Sequence, residues 1–232
     1  MTITANDRHI LRALAERYME YATSDRNRQK RELWRALNDG HMQKPMVTID
    51  QIPWGELAVD EFLHCKVEDP YFRAVEWELR AEIYKWEHLP ADMVLNPYIS
   101  LNRPIRNTGF GMTTRPLAHS SAGQIQTHLF EDQLEELADV DKIRNPVLEL
   151  DRDAEAAILG AAHDIFDGVA PVRLRGIMLH SGLWDQITFW KGVENCYIDL
   201  LERPELIHAI MDRYTNAFLA QWIRSTSWGC TT

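Results

Sequence analysis

Apolar side chains recur every three or four residues along several stretches of this chain, and each stretch predicts a helix with one covered face. Ile10, Leu11, Leu14 and Tyr18 share such a face within a helical region from about Asp7 to Asp39. Ser24-Asp25 divides that region in two, because side-chain oxygens there can cap exposed amides. Val75, Leu79, Ile83 and Trp86 mark a further helix; Asp69-Pro70 starts it, with aspartate at the cap and proline at the first position, and Pro90 ends it. Another is expected from Asp151 or Asp153 to about Phe166, stopped by Gly168. After Gly182 come two helices with Pro204 at their junction, the last running to about Ser227. Its stripe is Leu206, Ile207, Ile210, Met211, Tyr214, Phe218 and Trp222, with Glu205, Asp212, Arg213 and Gln221 on the remaining positions.

A period of two marks the strands. In Met46 to Asp50, Val47 and Ile49 alternate with Thr48 and Asp50; Asp92 to Tyr98 is a second strand closed by Asn96-Pro97; Val172 to Ile177 is a third. Ile105 to Phe130, with Gly109, Gly111 and Gly123, fits a hairpin or excursion, and Glu131 to Ala138 a short acidic helix. Strands alternating with helices predict an α/β fold with a parallel sheet, a barrel or a doubly wound sheet. The run from Val172 through the loop Met178 to Asp185 into the helices beyond reads as one βα step of a barrel. The first strand is expected to pair in parallel with the second, and the second with the third. Residues 1–40 are then an N-terminal helical segment, and residues 41–232 the N-terminal part of a truncated barrel domain.

Composition narrows the function classes. A net charge of -10 repels nucleic acid and anionic lipid, so neither is expected as a partner. No apolar run approaches the roughly 20 residues of a membrane span, and Met1 to Asp7 lacks the basic start and apolar core of a secretory signal. A cytoplasmic enzyme is the expectation. Cys65, Cys196 and Cys230 show no C-x-x-C spacing, which indicates reduced thiols rather than a disulfide framework or a zinc knuckle.

The segment GLWDQITFWKG at Gly182 to Gly192, with the downstream LLERPELIHAIMDRYTNAF, resembles the uroporphyrinogen decarboxylase superfamily, which includes true decarboxylases and corrinoid-linked methyltransferases. MVTIDQIPWGEL and ADMVLNPY sit where that family places its first two barrel strands. The resemblance implies an incomplete (β/α)8 TIM barrel with about three barrel strands present, hence a fragment that is inactive alone. In such barrels the site lies at the carboxyl ends of the strands. The candidate substrate-binding residues are therefore Asp50, Trp54 and Glu56 after the first strand, Asn96 and Tyr98 at the second, and His180, Trp184 and Asp185 after the third. Each also has a structural reading, since carboxylates after a strand cap helices and a loop tryptophan roofs a core.

Departures from the decarboxylase pattern point toward methyl transfer. True decarboxylases carry an arginine-rich loop after the first strand for the substrate's carboxylates, whereas here that loop is Asp50 to Glu56 and holds no arginine. The family's aspartate at the second strand aligns with Asn96, and a tyrosine after the third with Phe189. The related methyltransferases use a zinc-bound thiol whose His-x-Cys and distant Cys ligands belong to later strands, so the resemblance implies no cofactor within this chain, with zinc and a corrinoid in the full-length protein. A small-molecule or corrinoid-protein substrate and a homodimer are the partners it implies. The alternatives are a porphyrin-type decarboxylase, or a tetrapyrrole- or corrinoid-protein-binding module without chemistry of its own.

Other features have structural readings. His64-Cys65 reads as a buried pair, since adjacent residues point different ways. Arg173 and Arg175 fall on one strand face and either pair with acidic groups or bind an anion. Gly109-Phe110-Gly111 lacks the third glycine of a phosphate cradle.

Overall fold

The computed structural model describes residues 2–57, 59–117, 129–178 and 182–226. Along the chain come α1 (Ala5–Ala22), α2 (Asp25–Asn38), α3 (Trp54–Leu57), α4 (Pro70–His88), β1 (Ile99–Asn102), β2 (Ile105–Asn107), β3 (Pro116–Leu117) and β4 (Leu129–Phe130). Then follow β5 (Leu148–Leu150), α5 (Arg152–Phe166), β6 (Val172–Arg175), α6 (Leu183–Lys191), α7 (Val193–Glu202) and α8 (Pro204–Thr226), with 3-10 turns at Glu61–Leu63 and Leu137–Lys142. The fold is thus mixed helix and strand, and the described strands form three separate pairs, β1 with β6, β2 with β5 and β3 with β4.

Contacts divide the chain into two compact units, Met1–Asn102 with Arg152–Leu174, and Arg103–Asp151 with Arg175–Thr232. The first unit is built by its caps and one apolar core. Thr4 and Asp7 close a capping box on α1, the Ser24 hydroxyl accepts from the Asn27 N–H at the start of α2, and Asp69 accepts from Tyr71 and Phe72 at the start of α4, where Pro70 costs no hydrogen bond. The Ser24 and Asp69-Pro70 caps are those expected from sequence, whereas α1 starts at Ala5, ahead of the expected Asp7. Leu11, Leu14 and Tyr18 of α1 pack with Val75, Leu79, Ile83 and Trp86 of α4, and with Ile158, Ala162, Ile165 and Phe166 of α5. Gly168 ends α5 at φ 73°, a conformation glycine adopts without a Cβ penalty.

The strands differ from expectation in position. The Ile99 N–H donates to the Pro171 carbonyl at 2.8 Å, and the Arg103 N–H to the Arg175 carbonyl at 2.9 Å. Both chains advance four residues between these bonds, so β1 and β6 run parallel. The second strand therefore begins after Pro97 instead of ending there. Ile99 and Leu101 face the core at 2% and 0% exposure while Asn102 is exposed, an alternation that fixes the register. Met46 to Asp50 is no strand: Val47 is 55% exposed, its carbonyl accepts from the Asp92 N–H, and its own N–H donates to the Asp92 carboxylate rather than to a ladder partner. An alternating run without a ladder partner and a buried face does not hold a strand.

In the second unit β2 pairs antiparallel with β5, Arg106 opposite Glu149, and β3 with β4, Pro116 opposite Phe130, as an excursion requires. The expected acidic helix at Glu131 to Ala138 is displaced to the 3-10 turn Leu137–Lys142, held by Asp139, which accepts from the Glu135 and Glu136 amides. The expected single helix before Pro204 is two, because Gly192 at φ 83° breaks α6 from α7. Leu134, Ile143, Ile187, Trp190, Leu206 and Ile210 lie in this unit's core. Beneath it Lys191, fully buried, donates to Asp132 at 2.8 Å and to Asp199 at 2.7 Å, and Arg203 grips Asp199 with two nitrogens.

Candidate functional site

A cleft of about 640 Å³ opens in the second unit, between Met178, Gly182 and the helices α6 and α8. That volume suits a small molecule. Four aromatic rings, Phe110, Phe189, Tyr214 and Phe218, line it. The rings are held from behind: Phe110 meets Tyr214 edge-on at 4.9 Å, Trp190 meets Tyr214 at 5.1 Å, and Phe130 meets Phe189 at 5.2 Å. Edge-to-face packing of this kind fixes ring orientation before any ligand arrives.

The polar lining is Asp185, Gln186, Thr188 and Gln221, with no lysine, arginine or histidine among the described residues. Asp185 is exposed in the first turn of α6, where its charge complements the helix dipole, and its carbonyl accepts from the Thr188 hydroxyl at 2.7 Å. Gln221 is only 6% exposed, yet its Oε1 has no hydrogen-bond partner among the described residues. Burial pushes the Tyr214 phenol upward from its ordinary pKa, so that ring presents a neutral hydroxyl. A second cleft lined by Leu117, Leu129, Phe130, Val193, Tyr197 and Ile198 is mainly apolar, and no such unpaired buried group lines it among the described residues.

Of the residues expected from sequence, Asp185 lines the first cleft. Trp184 packs against the second unit's core. His180 lies outside the described residues. In the first unit, Asp50 and Glu56 are exposed, and Trp54 sits edge-on to Trp77 at 5.4 Å and to Tyr84 at 6.1 Å. Asn96 is exposed, and the Tyr98 ring carries the Arg173 guanidinium 4.3 Å above its centroid. That cation–π contact occupies one of the two strand arginines. The loop after Asp50 thus presents carboxylates and an indole, and the residues around Tyr98 a covered ring.

Gln221 was missed by sequence reading, although the signal was present. It follows Tyr214 by seven residues and Phe218 by three, a spacing that returns it to the buried face of α8, whereas Trp222, assigned to that face, is 47% exposed.

The described residues offer zinc no seat. They contain no group of three or more His, Cys, Asp or Glu side chains able to hold a metal. Burial also pushes the Cys65 thiol up and the Cys196 thiol up to about 11, against the thiolate that zinc requires. No family model, curated protein or solved structure matches the chain.

Proposed function

We propose that this chain carries the substrate-binding part of a uroporphyrinogen decarboxylase-superfamily site, on strands of a (β/α)8 barrel, and that the reaction is corrinoid-linked methyl transfer rather than decarboxylation. The observation that carries the reading is the cleft of the second unit, lined by Asp185 and by no cationic side chain among the described residues. Sites of α/β proteins open past the carboxyl ends of parallel strands. A decarboxylase of this family must hold several substrate carboxylates, and each taken from water without a cation or a donor costs several kcal/mol. Asp185 at the cleft, and Asp50 and Glu56 in the loop where the family's arginines would stand, oppose such a substrate. A corrinoid, when bound, supplies the methyl group. The chain's own residues bind and orient: the aromatic walls exclude water from one face of a ligand, and Asp185 receives its donors.

Equilibrium dialysis of the purified protein against methylcobalamin and against uroporphyrin tests this. Retention of methylcobalamin with exclusion of uroporphyrin is expected. Retention of uroporphyrin in its place contradicts the reading.

A further inference from the structure

A helix on the surface of a globular unit ordinarily turns its apolar side inward and its charges outward. On α7 the arrangement is inverted. Its buried positions are Cys196 and Asp199, the latter neutralised by Lys191 and Arg203, whereas Val193, Tyr197, Leu200 and Leu201 are exposed, Tyr197 to 67% and Leu201 to 87%. Steps of three and four residues place these four side chains in one row on the outer face. Beside the row runs the second cleft, of about 640 Å³, where Val193 and Tyr197 face Leu129 and Phe130 of the β3–β4 hairpin. Single exposed apolar side chains need no explanation, but a contiguous row bordering an apolar cleft marks a surface that another molecule covers.

The charges along the row define that molecule. Glu194 lines the cleft, and Glu202 stands two turns further along α7, about 12 Å away, with Ile198 between them; both carboxylates are exposed. The cations nearest them in the chain are committed elsewhere: Lys191 is buried between Asp132 and Asp199, and Arg203 grips Asp199 with two nitrogens. At the hairpin Arg115 is paired with Glu131 at 3.1 Å. A second copy of the chain would meet the row with the same two glutamates and a net charge of -10, so its charges oppose docking.

We infer that the outer face of α7 and the cleft beside it dock a cationic amphipathic helix of another protein, its apolar side along Val193, Tyr197 and Leu201 and its lysines or arginines, two turns apart, on Glu194 and Glu202. These residues line no part of the small-molecule cleft, so this docking stands or falls apart from the reaction proposed above.

Two labelled peptides of about sixteen residues and identical composition test it: one sets leucines at three- and four-residue steps with lysines two turns apart beside them, and the other scrambles that order. Fluorescence anisotropy with the full chain is expected to show the ordered peptide bound at least about tenfold more tightly than the scrambled one. Tyr197→Ser with Leu201→Ser, at exposed positions, should weaken the ordered peptide about tenfold without lowering the melting temperature. Glu194→Gln with Glu202→Gln should weaken it about threefold and flatten its salt dependence. Failure of the ordered peptide to bind, or equal binding of the scrambled one, which is the attraction of an acidic chain for any cation, overturns the inference; so does an affinity that neither double variant changes. Sedimentation velocity tests the other occupant: a dimer of the parent that Tyr197→Ser with Leu201→Ser dissociates would assign the face to a second copy and overturn the inference as well.

Discussion

In the first unit several buried polar side chains are tied to backbone: the Asn27 amide donates to the Ala22 and Leu95 carbonyls and accepts from the Leu95 N–H, Lys30 donates to the Ala91 carbonyl, and Glu76 accepts from the Lys66 and Val67 amides. In the second unit the buried charges of Lys191 and Asp199 are satisfied by one another and by Arg203, while Gln221 Oε1 has no donor among the described residues. The difference separates two uses of buried polarity. A satisfied group holds loops and helix ends in place, and an unsatisfied one costs stability.

Removing Lys191 should produce the largest effect. Lys191→Met leaves Asp132 and the 1%-exposed Asp199 without their shared cation, and breaking a buried pair from one side costs about 3–5 kcal/mol. Urea unfolding measures it. A loss below about 1 kcal/mol would mean that the network contributes little beyond packing.

Asn27→Leu should come next. It removes two donors and one acceptor at a site 1% exposed, stranding backbone groups at about 1–3 kcal/mol each. The same urea experiment checks it, and an unchanged midpoint would show that water takes over these bonds.

Acid should act on both units. Burial alone would raise Asp7 and Asp199, but the Glu68 and Thr4 amides hold Asp7 below its ordinary 3.8, and Arg203 and Lys191 do the same for Asp199. A carboxylate depressed in the folded state stabilises it fully above the unfolded pKa, and that stability is lost as pH falls through the folded value. Stability should therefore hold from neutral pH to near 3.8 and decline below it. A decline beginning well above that point would place the sensitive groups elsewhere.

The helices and their caps were legible in sequence because they are local: Ser24, Asp69-Pro70 and Gly168 act on amides a few residues away. Strand positions were not. Whether Asp92 to Tyr98 or Ile99 to Asn102 joins the ladder depends on β6, some seventy residues later, and Met46 to Asp50 has the right alternation but no partner. The candidate site was legible in part. Asp185 followed from its place after a strand, whereas Gln221 was concealed by its polarity on a helix whose exposed positions include the apolar Leu219, Trp222 and Ile223. Its burial follows only once Tyr214 and Phe218 set the phase of α8.

The smallest effect addresses the comparison most directly. Gln221→Leu replaces a buried, unpaired acceptor by an apolar side chain of similar size, the reverse of what Asn27→Leu does to its own site. Thermal unfolding of the two variants beside the parent is therefore the decisive measurement. Gln221→Leu should melt at or above the parent, with a gain of up to about 1 kcal/mol, while Asn27→Leu melts well below it. A Gln221→Leu protein destabilised as much as Asn27→Leu would show that Gln221 is bonded in the folded chain, and the distinction between satisfied and unsatisfied buried groups would fall.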